Sequence, residues 1–98
     1  MKNKKEKKIQ VIFRIDKNTG EVIAVFPTLC YQDELRWDEV WSYTHNGQHA
    51  EINRGYYTAC TIPATKEQYI PLLMELHTQG YRNLDVRKRW VRTHYLTL

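Results

Sequence analysis

Cysteine is scarce in this chain: Cys30 and Cys60 are the only two among 98 residues, too few for the disulfide framework of a small secreted scaffold. Apolar runs of membrane-spanning length are missing, and the lysine-rich start meets Arg14 and Asp16 before any leader-like apolar stretch forms. The expectation is cytoplasmic residence, with both thiols reduced and no membrane contact. The chain also lacks a glycine-rich phosphate loop, a nucleophile elbow, internal repeats and any low-complexity stretch beyond its first eight residues. The motifs that announce nucleoside-triphosphate or serine-hydrolase chemistry are therefore absent. Paired carboxylates occur only as neighbours, Asp33-Glu34 and Asp38-Glu39, for which solvation is the ordinary explanation. Neither a catalytic residue nor a cofactor is expected.

What is present begins with a helix between Thr65 and Gly80. The Thr65 hydroxyl can accept from an orphan amide, Gln68 stands where the second half of a capping box belongs, and Glu67 sits near the positive end of the helix dipole. Tyr69, Leu72, Leu73 and Leu76 then recur at helical spacing, widened by Ile70 and Met74, so one side must be buried. Gly80 supplies the stop. Pro71 lacks a backbone donor and crowds the preceding turn, which predicts a kink or break between Tyr69 and Leu72. His77 lies near the helix C-terminus, where the dipole favours an imidazolium and a structural role suffices.

Upstream, Ile9 to Phe26 reads as a hairpin turning at Asp16-Lys17-Asn18-Thr19-Gly20, with Pro27 closing its second strand. Thr28 to Asp38 has no clean period and reads as an irregular connection. Val40-Trp41-Ser42-Tyr43-Thr44 suggests a third strand over Glu39 to His45, and Asn46-Gly47 a tight turn. A fourth strand falls within Gln48 to Ile62, over Tyr56 to Ile62 by preference, with an earlier start near Ala50 and Ile52 left open. Leu84, Val86 and Trp90 alternate with charged residues in a last strand about eight residues long. Together these predict a basic tail over residues 1–8 and a single α+β domain over 9–98. Its order is ββββαβ, an antiparallel sheet of four or five strands with one helix on one face.

Charge is segregated along the chain. Met1–Lys8 and Arg82–Leu98 each carry a net +4, whereas Ile9–Tyr81 carries −4. Basic ends can neutralise phosphates, so Arg82, Arg87, Lys88, Arg89 and Arg92 are the candidate nucleic-acid contacts. A solvated tail and the polar face of an antiparallel sheet account for the same pattern. Geometry supplies a further expectation. One helix covers one face of a sheet, which leaves Ile12, Ile23, Val25 and Val91 on the other if Val11, Phe13, Val22 and Val86 pack under the helix. That face must be covered by the Thr28–Asp38 segment with Leu35 and Trp37, by a second copy in a homodimer, or by a partner protein. Trp41 and Tyr43 could stack on unpaired bases from an open face, although core packing suits both and no RRM-type motif accompanies them.

The remaining polar feature is His45-Asn46-Gly47-Gln48-His49. Asn-Gly in its middle and the missing glutamate exclude a helical zinc-protease motif. Across a turn, His45 and His49 could approach each other, with Cys60 as a third metal ligand, but turn-flanking histidines ordinarily serve as hydrogen-bonding residues. Cys60 with His49 as nucleophile and base lacks an orienting third group.

Val11-Ile12-Phe13-Arg14, Thr19 to Pro27, the Tyr43–His49 pattern Tyr-x-His-x-Gly-Gln-His, and Pro63-Ala64-Thr65 with Tyr69, Leu72, Glu75-Leu76 and Gly80-Tyr81 together resemble a family of small uncharacterised proteins from phages and mobile elements of gut bacteria. The similarity spans most of Val11 to Arg89; the lysine-rich start, Pro71 and the tail beyond Trp90 depart from it. The resemblance implies a cytoplasmic accessory that binds something of the host or of the element, with no activity, cofactor or catalytic residue to carry over. Two functions follow as expectations: a non-catalytic interaction protein that binds a protein partner or itself through the sheet face, or a nucleic-acid-binding accessory that uses its basic ends.

Overall fold

The turn Asp16–Gly20 makes its own hydrogen bonds, and these set the first hairpin. The Asp16 carboxylate accepts from the amides of Asn18 at 2.7 Å and Thr19 at 3.0 Å, and Gly20 takes a φ of 78°, so β1 (Ile9–Asp16) and β2 (Val22–Phe26) pair with Ile12 opposite Val25. The computed structural model, which describes residues 8–29, 39–45 and 47–90, continues with β3 (Glu39–Thr44) and β4 (Gln48–Asn53), an antiparallel pair joined at Gly47.

Beyond β4 the sequence expectation is corrected. Tyr56–Cys60 is not strand but part of α1 (Arg54–Cys60), because the Asn53 side chain accepts from the amide of Tyr56 and caps a helix there. Only Thr61–Pro63 extends, as β5. The second helix, α2 (Lys66–Thr78), has the complete capping box on Thr65 and Gln68. It ends in a Schellman arrangement: Gly80, at φ 107°, donates to the carbonyl of His77, and Tyr81 donates to that of Leu76. No break appears at Pro71. The donor it lacks would have served the carbonyl of Glu67, and both residues lie on the exposed side of the first turns, where water can take that role. The last strand, β6 (Leu84–Arg87), is half the predicted length.

The sheet has six strands in the order β4-β3-β2-β1-β5, with β6 also on β1. The outer edge of β1 is shared: its first half pairs in parallel with β6, Ile9 to Leu84 through Ile12 to Arg87, and its last half pairs antiparallel with β5, Arg14 to Pro63 through Asp16 to Thr61. The fold is α+β, with an antiparallel sheet apart from the β1–β6 pair and two helices instead of one.

Each face of the sheet has its own core. Val11, Phe13, Ala24, Phe26 and Tyr43 pack beneath Leu72 and Leu76 of α2. On the far face, Ile12, Ile23, Val25 and Val40 pack against Tyr57 of α1 and Trp90. The cover expected for this face is supplied by the chain itself, and neither a second copy nor a partner is needed for it: Ile12 is 1% exposed, Ile23 5% and Val25 0%, because the unforeseen helix and Trp90 pack over them. Val91, like Leu35 and Trp37, lies outside the described residues. Val86, expected beneath the helix, is 39% exposed.

The far-face cover is built around two arginines. The Arg14 guanidinium lies 4.2 Å from the centre of the Tyr57 ring and donates to the Thr61 hydroxyl and carbonyl, each at 2.9 Å. Trp90 meets Tyr57 edge-on at 5.1 Å, and Arg54 stacks over Trp90 at 4.8 Å while donating to its carbonyl at 2.9 Å. Alternating cations and rings thereby substitute for a longer apolar helix.

Candidate functional site

The β3–β4 turn places both predicted histidines near the C-terminal half of α2, yet gives them different partners. His45 Nδ1 lies 2.7 Å from one oxygen of Glu75, whose other oxygen accepts from the Tyr43 hydroxyl at 2.7 Å. His49 Nε2 lies 3.0 Å from the Tyr81 hydroxyl, and its ring stacks on Trp41 with centroids 5.4 Å apart. Tyr43 is buried and Trp41 half-buried, so core packing suffices for both. Cys60 is not brought to them. It immediately precedes β5, three strand spacings from β3, or about 14 Å, where a zinc ligand must stand at about 2.0–2.3 Å. No group of three or more His, Cys, Asp or Glu among the described residues is placed to hold a metal, which removes the His45–His49–Cys60 constellation.

The titratable groups on both sides of the sheet are tied to one another. The Tyr43 hydroxyl and His45 hold the Glu75 carboxyl below its ordinary value, while the Glu75 hydrogen bond raises Tyr43. Burial raises Tyr81. On the opposite side of the molecule, burial and the bond from its hydroxyl to Asp16 raise Tyr56, and that bond, with the turn amides, lowers Asp16. Each of these carboxylates and phenols moves away from neutral pH. Their arrangement ties elements together: Glu75 joins α2 to β3, and Asp16 joins the first hairpin to α1.

The basic residues behave differently. Pairing of β1 with β6 carries the amide of Ile9 to within 2.9 Å of the Asn83 carbonyl, so Lys8, where the lysine-rich start meets the sheet, lies beside the arginine-rich segment after α2. Arg82, Arg87, Lys88 and Arg89 are all exposed there. Arg87 donates through Nε to Asp85 at 3.0 Å. Arg92 lies outside the described residues. Lys66, in the first turn of α2, joins Arg87 and Lys88 around a cavity of about 670 Å³.

Sequence reasoning singled out the cations in and around β6 but missed Lys66 and the partner of His45. Lys66 carried a signal, being a cation directly after a helix cap. Glu75 carried none, because only the folding of α2 over β3 brings it to a residue thirty positions earlier. Among the described residues, no helix is long and apolar enough to cross a membrane. The chain matches no known family model, no curated protein sequence and no solved structure.

Proposed function

We propose that the protein is a non-catalytic, nucleic-acid-binding accessory that holds phosphates along the edge formed by β1 and β6. One observation carries this reading: the parallel β1–β6 pair sets Lys8 beside Arg82–Asn83, so Lys8 and the basic residues that flank β6 share one edge. Arg14 and Arg54 are occupied by rings and carbonyls, whereas Arg82, Arg87, Lys88 and Arg89 face solvent. The cytoplasmic setting and the similarity to accessory proteins of phages and mobile elements belong to the same reading.

Four phosphate contacts give a salt slope of about −3, and thus an affinity loss of roughly fifty- to a hundred-fold between 50 and 200 mM salt. The test is fluorescence anisotropy with a labelled oligonucleotide across that range, together with retention on heparin. Binding that survives combined Arg87→Glu and Arg89→Glu at low salt overturns the proposal.

A second reading, association with a protein partner or a second copy, moves from the sheet face to a sheet edge. Among the described residues β4 pairs only with β3, which leaves its outer backbone groups available for strand addition. Light scattering at micromolar to millimolar concentrations tests for a homodimer, and a Pro substitution at Glu51, whose backbone groups alternate away from β3, should abolish it.

A further inference from the structure

The edge of β1 has a notch. Strand β6 leaves after Arg87, opposite Ile12; β5 stops at Pro63, opposite Arg14; the Phe13 carbonyl between them accepts from the Ala64 amide at 3.1 Å, and α2 begins two residues later. The notch opens into the 670 Å³ cavity, within the roughly 300–1,000 Å³ range of ligand sites. Its lining combines two chemistries. Tyr69 lies flat on Phe13, centroids 4.3 Å apart and planes within 12°, and Val86 is 39% exposed beside them. Lys66, Arg87 and Lys88 complete the wall.

Simple ions and simple hydrocarbons each fit only half of this lining. The capping box engages the Thr65 and Gln68 amides, so the full positive charges that draw an anion are those of the three side chains. An inorganic anion makes no use of the aromatic and aliphatic surface; a purely apolar ligand makes no use of Lys66, Lys88 and Arg87, the last of which already pairs with Asp85 at the surface. A nucleotide supplies a flat apolar face and an adjoining negative charge in one unit, and stacking on aromatic side chains is largely indifferent to which base is present. Bases within a duplex are stacked on one another and cannot enter such a notch.

We infer that this cavity receives an unpaired nucleobase of single-stranded nucleic acid, with its phosphate held by Lys66, Arg87 and Lys88. The inference rests on the proposed nucleic-acid reading and adds a strand preference to it: the protein binds a single strand about tenfold more tightly than a duplex of equal length.

Anisotropy with labelled oligothymidylate and with a duplex of the same length, at one salt concentration, measures that ratio on the full chain. Val86→Trp, which fills the cavity from a strand position suited to an aromatic residue, brings the ratio toward one. Tyr69→Leu does the same, and Met74→Trp, at a site 61% exposed on α2 and outside the cavity lining, leaves it unchanged. Lys66→Gln lowers the single-strand salt slope by about 0.7. Equal binding to single strand and duplex, with Val86→Trp without effect, overturns the cavity assignment while the phosphate-binding reading stands. No retention on heparin or either DNA overturns both. Displacement of oligothymidylate by a glutamate-rich, tryptophan-containing peptide at equal concentration assigns the cavity to an acidic protein segment and overturns the nucleotide.

Discussion

The two edges of this sheet are opposites. From Glu39 to Asn53, across β3 and β4, there is neither lysine nor arginine; the ionisable side chains are Glu39, Glu51, Tyr43 and two histidines, and His45, His49 and Tyr43 are joined to α2 or Tyr81. On the other edge, β1 and β6 gather Lys8, Arg82, Arg87, Lys88 and Arg89 at the surface. One edge ties its histidines and Tyr43 into the fold, and the other holds its cations at the surface, with Arg87 paired to Asp85. Net charge alone, +4, describes neither edge; separation across the strand order is what gives the molecule a directed field.

The sharpest way to break this contrast is to reverse the basic edge. Arg87→Glu, Lys88→Glu and Arg89→Glu together should lower oligonucleotide affinity at 50 mM salt by at least roughly a hundredfold, with thermal unfolding close to that of the parent, since exposed substitutions usually change stability little. A cation on the far face should give the reverse pattern. Arg14→Met removes the donor to the Thr61 hydroxyl and carbonyl and the stack on Tyr57, so chemical denaturation should show a loss of about 2 kcal/mol, while the fraction still folded keeps its affinity for DNA.

A smaller effect is expected from Glu51→Lys on exposed β4: unchanged stability within about 0.5 kcal/mol, and heparin elution at slightly higher salt. Smallest is a pH effect at the tied positions. Asp16 and Glu75 have lowered folded-state values, so their contribution is present above the ordinary carboxylate range near pH 4 and is lost as pH falls through the lowered values. Thermal melts should therefore weaken below about pH 4, and Glu75→Gln should make that decline shallower.

Legibility followed the range of the forces involved. The α2 start at Thr65 and Gln68, its end at Gly80, and the Asp16–Gly20 turn were readable because each is set by atoms within a few residues. Tyr56, Tyr57 and Thr58 favour extended backbone, and that bias concealed α1, where one cap on Asn53 and the packing of Tyr57 prevail over propensity. The covering of the far face by Tyr57 and Trp90 was hidden for the same reason: it depends on a helix not foreseen. Pairing of residue 9 with residue 84 leaves no local mark at all, so the basic edge was visible in the sequence only as two separate charged segments. The turn histidines were found, but their partners, Glu75 and Tyr81, came from the fold.

Strand β1 has a consequence for how the chain comes into being. One of its margins closes locally in the hairpin with β2, whereas the other waits for Thr61–Pro63 and for Leu84–Arg87, both far along the sequence. Until both segments are in place, Ile9–Asp16 remains an unfinished template on that side. Closure across such long sequence separations is slow compared with hairpin formation. Strand β6 is thus the clasp that secures β1.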